Sequence, residues 1–359
     1  MVVIHGNGQL KSHSSIRLKV ADERGGVKGN GMAAEAKYEL LRELGRGNFG
    51  VVYEAVVRRT GARRAVKRLH CGSPESAELA LQEFRALKSL AGRHGNVVAL
   101  HEAVLQRDGE ASSLQCGHSE AYLNLVETAL KGERIFDPGR AYYLWLVMEF
   151  CSGGDMNRYL LSRRPDPALN VNFALQLSNA VAFLHLNNVV HRDLKPGNVL
   201  VCESAGTPVL KVADFGLSKV CNVGSHGQAT SSTTGKAWLS QACGTAFYMA
   251  PEVWEGHFTA KADIFALGII VWAMLERITF VDGESNRQQL GSYVQHLVPV
   301  GQALLENPRM ELRIPRNRRS HIDTSVVQLI RKMLSVNPQE RPSACDLIEC
   351  FQQRVACAN

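Results

Sequence analysis

Two motifs separated by a fixed interval constrain this chain more than any other feature of its sequence. The first is His191-Arg192-Asp193-Leu194-Lys195-Pro196-Gly197-Asn198, which lies between an apolar helix-like run and the β-rich segment 199–201. The second is Asp214-Phe215-Gly216, which begins sixteen positions after Asn198, where another strand-like run ends. Asp and Asn are individually common in loops. The order and spacing of the two motifs are, however, hard to explain by chance.

The polar residues of these motifs are the groups that phosphoryl transfer requires. The Asp193 carboxylate can accept a hydroxyl proton, and Lys195 brings a cation two residues later. Asn198 and Asp214 supply oxygen ligands suited to a hard metal such as Mg²⁺. The sequence therefore predicts catalytic roles for Asp193 and Lys195 and metal-binding roles for Asn198 and Asp214.

A glycine-rich segment precedes these motifs. Gly45-Arg46-Gly47-Asn48-Phe49-Gly50-Val51-Val52 has the GxGxxGxV pattern, which is also found in dinucleotide-binding loops and in plain hairpin turns. A dinucleotide-binding loop opens a helix, whereas a strand-like run follows here, and then Ala65-Val66-Lys67. This context favours a hairpin whose backbone N–H groups cover a nucleotide triphosphate.

Lys67 needs a partner if it is to hold the phosphates. Glu83 lies on the apolar face of a helix predicted over 76–90, since Leu79, Glu83, Leu87 and Leu90 recur at helical spacing. A carboxylate that faces a core requires a cation. We expect a Lys67–Glu83 ion pair, although either residue alone is more often a solvated charge.

Composition and organisation are those of a two-lobed globular α+β protein. The chain has 359 residues, 45% of them hydrophobic, with a β-rich half followed by an α-rich half. We predict a disordered leader (1–36), a catalytic domain (37–355) and a short tail (356–359). The domain divides into an N-lobe (37–150) with a polar insert (106–140) and a C-lobe (151–355). Translation from either Met1 or Met32 is compatible with this division.

The charge and the cysteines restrict the cellular setting. Net charge is +7 (41 basic, 34 acidic residues), which favours acidic partners but equally describes a solvated basic surface. No aromatic-interleaved basic stripe supports nucleic-acid binding.

Nine cysteines without a CxxC pair indicate a reducing compartment. No signal peptide and no apolar run long enough for a membrane span are visible, so a soluble intracellular protein is expected.

Taken together, the motifs resemble those of eukaryotic protein kinases, in family order from Leu44 to Arg341. Lys195 and Gly244-Thr245 resemble serine/threonine rather than tyrosine kinases. The resemblance implies the two-lobed kinase fold, with a small antiparallel N-lobe sheet, one N-lobe helix and a mainly α-helical C-lobe. It also implies ATP and Mg²⁺ as cofactors and Ser/Thr-containing proteins as substrates. The implied ATP-binding residues are Leu44, Gly45, Arg46, Gly47, Asn48, Phe49, Gly50, Val51, Val52, Lys67, Glu83, Glu149, Cys151 and Asp155.

Two structural contacts follow from the same resemblance. Glu252, in Ala250-Pro251-Glu252, is expected to pair with Arg341. Asp263 is expected to anchor the catalytic-loop backbone, with an N-cap role in the buried helix 264–276 as the ordinary alternative.

More narrowly, segments 149–155, 162–167 and 250–267 are similar to the vertebrate PDZ-LIM-protein-interacting kinases. That similarity implies PDZ-LIM actin-associated partners and a nuclear location, with the cytoplasm as a second compartment. A monomer that binds no specific nucleic acid and no membrane is expected. The basic cluster 313–319 would serve nuclear import, although a solvated face is its commoner meaning.

One departure from the kinase pattern and one long loop qualify these expectations. Gly197 stands where most kinases carry Asp or Glu, which weakens an expectation of basic substrates. Arg192 before the catalytic Asp suggests control by a phosphate in the loop 217–243. The candidate phosphorylation sites are Thr230, Ser231, Ser232, Thr233, Thr234 and Ser240. A catalytically inactive scaffold that acts through the insert and the leader is the main alternative to an active enzyme.

Overall fold

The structure is a computed structural model. It describes residues 17–18, 37–47, 50–90, 92–107, 110–113, 142–204, 206–220, 245–283, 285–314 and 324–358. The leader apart from 17–18, insert residues 114–140, the loop 221–244 with its phosphorylation candidates, and Asn48 and Phe49 lie outside these residues. The chain divides into a first compact unit, Met1–Arg93 with Val98–Cys151, and a second, His94–Val97 with Ser152–Asn359.

The first unit is built on an antiparallel sheet. Strand order in the sheet is β1-β2-β3-β4-β7-β5-β6. Its core contains alternate residues of neighbouring strands, including Tyr38, Ala55, Val66, Trp145 and Val147, as expected where one face of a sheet is buried. The strands are β1 (Arg17–Leu18), β2 (Tyr38–Gly47), β3 (Gly50–Val57), β4 (Arg63–His70), β5 (Leu100–Arg107), β6 (Glu110–Ser113) and β7 (Tyr142–Glu149).

One helix, α1 (Pro74–Leu90), belongs to the first unit. Its buried face includes Glu83, Leu87 and Leu90, which confirms the predicted face, although Leu79 is only half-buried. The helix begins two residues before the predicted start, and the Ser73 hydroxyl accepts a hydrogen bond from the Ser76 amide at 3.2 Å. Such a bond satisfies an otherwise unpaired N–H at the helix start.

Helices dominate the second unit. Helix α5 is buried without interruption from Ala262 to Met274, which confirms the prediction of a helix enclosed in a core. Helix α3 packs against α5 and α8. The helices are α2 (Met156–Leu161), α3 (Pro167–Leu186), α4 (Pro251–Trp254), α5 (Ala260–Glu276), α6 (Val300–Glu306), α7 (Thr324–Met333) and α8 (Ala344–Ala358).

The second unit also contains short strand pairs. The pairs β8–β11 and β9–β10 flank the segment 191–198 and the Asp214 motif. Two further pairs, β12–β13 and β14–β15, follow α5 and have no counterpart among the predicted elements. The strands are β8 (Val189–Val190), β9 (Val199–Ser204), β10 (Thr207–Val212), β11 (Lys219–Val220), β12 (Thr279–Val281), β13 (Gln288–Leu290), β14 (Tyr293–Val294) and β15 (Val298–Pro299).

Two predicted boundaries are wrong. The helical spacing of Phe173, Leu177, Val181 and Leu184 predicts a helix over 172–187. Helix α3 instead begins at Pro167, because the Asp166 side chain caps it by accepting from the Leu169 amide at 3.1 Å. The residues 97–104 predict a strand that begins at Val97. Strand β5 instead begins at Leu100, and Val97 forms an isolated bridge with Val212. In the first case a local capping hydrogen bond set the boundary. In the second, the backbone at 96–97 pairs with Val212 of β10, a residue distant in sequence. No helix in the described part of the chain is long and apolar enough to cross a membrane.

Candidate active site

The glycine-rich segment forms the predicted hairpin. Gly45 pairs with Val52, Arg46 with Val51, and Gly47 with Gly50, so a strand and not a helix follows the third glycine. This pairing excludes the dinucleotide-fingerprint alternative. Gly50 also has a packing role, because a Cβ there would lie 2.3 Å from the backbone oxygen of Arg68 on β4.

The Lys67–Glu83 pair is present in the first unit. Lys67 Nζ donates to both Glu83 carboxylate oxygens, at 2.7 and 2.8 Å. Both side chains are buried, so each charge depends on the other for compensation. The pair fixes the ammonium group at a defined position on β4, next to the glycine-rich hairpin on β3.

Three further residues predicted to contact the nucleotide lie between the end of β7 and the start of α2. Glu149 ends β7, with its amide donating to the Ala99 carbonyl at 3.0 Å, and Cys151 follows two residues later. Asp155 is the N-cap of α2 and accepts from the Arg158 amide at 2.9 Å. Burial raises the pKa of the Asp155 carboxyl, although backbone hydrogen bonds oppose this. Asp155 therefore has a structural role that the sequence interpretation did not assign.

In the second unit, the catalytic candidates form one polar cluster. Lys195 Nζ contacts both Asp193 carboxylate oxygens, at 2.9 and 2.7 Å, and donates to Thr245 Oγ1 at 2.8 Å. Thr245 Oγ1 donates to Asp193 Oδ1 at 3.2 Å. The Asp193 carboxylate thus has an adjacent cation and an adjacent hydroxyl. A carboxylate that accepts a hydroxyl proton next to a developing negative charge needs such neighbours.

Asn198 has a free metal-ligating atom. Its amide nitrogen donates to the Asp193 backbone oxygen and to Asp193 Oδ2, both at 2.8 Å. Its carbonyl oxygen is buried and has no hydrogen-bond partner within the described residues. A buried unpaired oxygen is costly unless something binds it. Because amide oxygens are ligands that Mg²⁺ accepts, the donor set fits a metal ion held by Asn198 and Asp214.

Backbone and imidazole contacts connect Ala213, the residue before Asp214, to this cluster. The Ala213 amide donates to the Asn198 carbonyl at 2.8 Å. His191 Nε2 lies 3.0 Å from the Ala213 carbonyl oxygen, and His191 Nδ1 accepts from the Asp193 amide at 3.3 Å. Asp214 itself adopts a left-handed φ of 61°, a conformation that is unusual for a non-glycine residue and is frequently seen at functional sites.

The Asp263 carboxylate holds the backbone of the catalytic segment in place at His191 and Arg192. Its carboxylate accepts hydrogen bonds from the His191 and Arg192 amides and contacts His185 Nε2, each at 2.9 Å. The N-cap of α5 is Thr259, so the alternative of Asp263 as an N-cap is wrong. Burial alone would raise the pKa of the Asp263 carboxyl, but His185, His191 and the Arg192 amide hold it below its usual range.

The predicted Glu252–Arg341 pair is also present. Arg341 Nη1 and Nη2 donate to the two Glu252 oxygens at 2.6 and 2.7 Å. Arg341 is buried and also donates to the Ser335, Lys261 and Val336 carbonyls. Bidentate pairing of this kind fixes geometry as well as charge, so the start of α4 is tied to the segment before α8.

The structure therefore places the predicted residues in two groups. Lys67, Glu83 and the glycine-rich hairpin belong to the first unit, and Asp193, Lys195, Asn198 and Asp214 belong to the second. Sequence reasoning did not assign the hydrogen bonds of Thr245 to the catalytic pair or the contact of His185 with Asp263. The sequence signal for Thr245 is its place in Gly244-Thr245, which is typical of serine/threonine kinases.

Comparison with known proteins decides the family. The protein kinase domain family matches residues 38–351, which is most of the chain. The chain belongs to the protein kinase family. The predicted α+β kinase fold, with an antiparallel N-lobe sheet and a helical C-lobe, is confirmed.

Serine/threonine kinases are among its relatives. "Serine/threonine-protein kinase ATG1a" of Arabidopsis thaliana is 29% identical over 308 residues, covering 85% of this chain and 40% of the relative. "Serine/threonine-protein kinase 33" of Mus musculus is 27% identical, with coverage of 89% and 55%. Nek4 of Mus musculus is 27% identical, with coverage of 88% and 32%. The kinase domain thus spans between about a third and just over half of these relatives' length.

Proposed function

We propose that this protein is an active protein serine/threonine kinase that transfers the γ-phosphate of Mg-ATP to Ser and Thr hydroxyls of protein substrates. The observation that carries the proposal is the cluster of Asp193, Lys195, Thr245 and Asn198, in which a paired carboxylate adjoins an unpaired ligand oxygen. Each of these groups has the chemistry that its assigned step needs. The family match and the serine/threonine kinases among the relatives agree with this activity.

The residues divide the work of phosphoryl transfer as follows. Asp193 accepts the proton of the incoming hydroxyl, and Lys195 offsets negative charge on the transferred group. Lys67, held by Glu83, would neutralise charge on the phosphates of ATP, and the glycine-rich hairpin would supply backbone N–H groups to them. Because the transition state is loose, positioning and charge neutralisation contribute more than proton abstraction.

Mg²⁺ is the cofactor that this donor set fits. Asn198 and Asp214 would hold it, and the ion would neutralise charge on the phosphates when bound. Asn198 Nδ2 donates to Asp193, which leaves only the amide carbonyl for the metal. The chain therefore orients the Asn198 carbonyl before any ion arrives.

A radiolabelling experiment tests the proposal. The purified full chain is incubated with Mg²⁺ and ATP labelled at the γ-phosphate, beside Asp193→Ala and a matched control, Asp166→Ala, which removes only the cap of α3. We expect label in the wild type and in Asp166→Ala and at least a ~100-fold loss in Asp193→Ala, since general-base contributions alone are ~10²–10⁴-fold. Equal label in wild type and Asp193→Ala would support the inactive-scaffold alternative.

We also propose the finer assignments that rest on sequence resemblance. These are membership of the PDZ-LIM-protein-interacting kinase group, PDZ-LIM actin-associated partners, a nuclear location with the cytoplasm as a second compartment, and a monomeric state. The supporting segments are 149–155, 162–167 and 250–267. Imaging of the tagged chain with Arg313, Arg316, Arg318 and Arg319 changed to Ala tests the location. Unchanged nuclear signal would remove the basic cluster as the import element.

A further inference from the structure

One face of the sheet in the first unit carries an apolar cluster that α1 does not cover. Lys67 on β4 reaches Glu83 on α1, so α1 lies on the Lys67 side of the sheet. Because successive side chains of a strand point to opposite faces, Val66 and Arg68 lie on the other side. We call this other side the second face. Its buried residues pack together as one cluster, which consists of Tyr38, Leu40, Ala55, Val66, Val104, Trp145 and Val147.

The second face is buried more deeply than the described elements of the first unit explain. Val66, Val104 and Val147, at its centre, are each 0% exposed. Within the described residues, the first unit consists of the seven strands of the sheet, α1 and their connections, and α1 lies on the opposite face. An antiparallel sheet that is packed on one side only would leave these valines in contact with water. The second face therefore needs a further layer of chain.

The polar groups of the second face define what kind of layer fits it. Trp145 Nε1 donates to Gln106 Oε1 at 2.8 Å, so the one polar atom of the buried indole is satisfied within the sheet. The Arg68 guanidinium lies 5.6 Å from the Trp145 ring centroid and 5.3 Å from that of Tyr143, and both Arg68 and Tyr143 are half-buried. The face thus has an apolar centre and a partly polar margin, which matches the apolar side of an amphipathic helix.

The segment 114–141, which we call the insert segment, leaves and re-enters the sheet beside this cluster. Ser113, the last residue of β6, pairs with Val104, and Val104 pairs with Trp145. Neighbouring strands are ~4.8 Å apart, so the chain leaves the sheet ~10 Å from Trp145. It returns at Tyr142, the first residue of β7 and three residues before Trp145. The insert segment is therefore tethered next to the second face at both of its ends.

The sequence of the insert segment predicts an amphipathic helix over 120–131. At ~100° per residue, one side of this helix is entirely apolar and carries Tyr122, Leu123, Leu125, Val126, Ala129 and Leu130. The opposite side is mostly polar and carries Glu120, Asn124, Glu127, Thr128 and Lys131. Ser119 before the run and Gly132 after it are typical of a helix start and a helix end. Such a helix is ~18 Å long, enough to cross four neighbouring strands, which span ~14 Å.

We propose that the insert segment docks on the second face of the sheet through the apolar side of its 120–131 helix. The leader segment 19–36 enters the same sheet at Tyr38, but it is rich in glycine and has no apolar periodicity, so it offers no matching side. The inference goes beyond the proposed kinase function, because it makes the insert segment a structural layer of the first unit. Only the polar side of the helix then remains for contact with another protein.

Photo-crosslinking in the purified full chain tests the docking directly. A diazirine amino acid of about leucine size replaces Val126, at the centre of the apolar side, or Asn124, on the polar side, as the matched control. Crosslinked peptides are identified by mass spectrometry. We expect position 126 to crosslink within one chain to peptides of β3, β4 or β7, and position 124 to give no such product. Equal products from both positions, no product on the sheet, or products only with a second copy of the chain would overturn the inference.

Hydroxyl-radical footprinting provides a second measurement, with Trp145 as the reporter of the second face. Val126→Asp places a carboxylate on the apolar side, where burial of an unpaired charge is costly, and should raise oxidation of Trp145 several-fold over the wild type. Asn124→Asp should leave Trp145 protected. Trp272, which is buried in α5 of the second unit, should stay protected in both variants and so reports that the chain is folded.

Protection of both Trp145 and Trp272 in Val126→Asp would overturn the inference. A variant that exposes both tryptophans is unfolded, and the crosslinking result, which needs no destabilising substitution, then decides. Neither measurement depends on phosphotransfer, so failure of the docking and failure of the proposed kinase function are told apart.

Discussion

Replacement of Asp263 by Ala tests how the fold positions the catalytic segment. The Asp263 carboxylate is buried and accepts from two backbone amides, those of His191 and Arg192, at 2.9 Å. Arg192 has a left-handed φ of 70°, a conformation that costs ~1–3 kcal/mol unless the surroundings hold it. The variant removes the carboxylate that holds Arg192, the residue directly before Asp193.

The expected loss of stability follows from the two backbone amides, those of His191 and Arg192, that Asp263→Ala leaves without an acceptor. Each buried amide left unsatisfied costs ~1–3 kcal/mol, so Asp263→Ala should lower the free energy of unfolding by ~2–6 kcal/mol. Phosphotransfer turnover should fall as well, because Asp193 loses its support. Chemical denaturation and steady-state kinetics with Mg-ATP measure the two effects. Asp263→Asn, which keeps one acceptor oxygen, should have an intermediate effect on stability.

Thr259→Ala is the matched control at the same helix end. Thr259 is the N-cap of α5 but its side chain makes no capping hydrogen bond. Its removal should therefore change the free energy of unfolding by less than ~0.5 kcal/mol. If Asp263→Ala were as mild as Thr259→Ala, the claim that Asp263 anchors the catalytic segment would be refuted.

Three further perturbations follow from the structure. Gly50→Ala forces a Cβ against the Arg68 carbonyl oxygen and so displaces the glycine-rich hairpin. Because that hairpin is assigned to the nucleotide, the KM for ATP should rise more than the KM for peptide in steady-state kinetics. Arg341→Ala leaves the Glu252 carboxylate without its buried partner and should lower the free energy of unfolding by ~3–5 kcal/mol in chemical denaturation, whereas a loss below ~1 kcal/mol would contradict that role. The pKa of the Asp263 carboxyl is lower in the folded protein than in the unfolded chain, so its ionised form stabilises the fold at pH values above the ordinary Asp pKa of ~3.9. This stabilisation is lost as the pH falls from ~3.9 through the lower folded-state pKa. The urea midpoint should therefore decrease over that acid range, and it should decrease less in Asp263→Asn.

The elements that sequence reasoning located correctly are those with a strong periodic or motif signal. Helix α5 is apolar on every side, and α1 carries Glu83 among apolar residues at helical spacing. The Lys67–Glu83 pair was predictable because a carboxylate on an apolar helix face needs a partner of opposite charge. The Glu252–Arg341 pair was expected only from the resemblance to protein kinases. The hairpin at Gly45–Val52 followed from the strand-like residues on both sides of the glycines.

What sequence reasoning missed are short elements and contacts between distant residues. Strands β12 to β15 have only two or three residues each, too few for an alternating pattern to emerge. The ring contacts of Phe247 with Phe280 and Tyr293 join residues that are distant in sequence, and Phe280 and Tyr293 lie on those strands. The start of α3 was detectable, since Asp166-Pro167 has the residue types favoured at a helix cap and first position.

Identification of the phosphorylated amino acid tests the central claim most directly. Three peptides that differ only in a single Ser, Thr or Tyr are offered to the purified wild-type chain and to Asp193→Ala with Mg²⁺ and γ-labelled ATP, and the products are hydrolysed to their amino acids. The proposed function predicts phosphoserine and phosphothreonine from the wild type, little phosphotyrosine, and almost no product from Asp193→Ala. Absence of labelled product from the wild type, or the same product from both proteins, would contradict the assignment of Asp193, Lys195 and Asn198 as a phosphotransfer site.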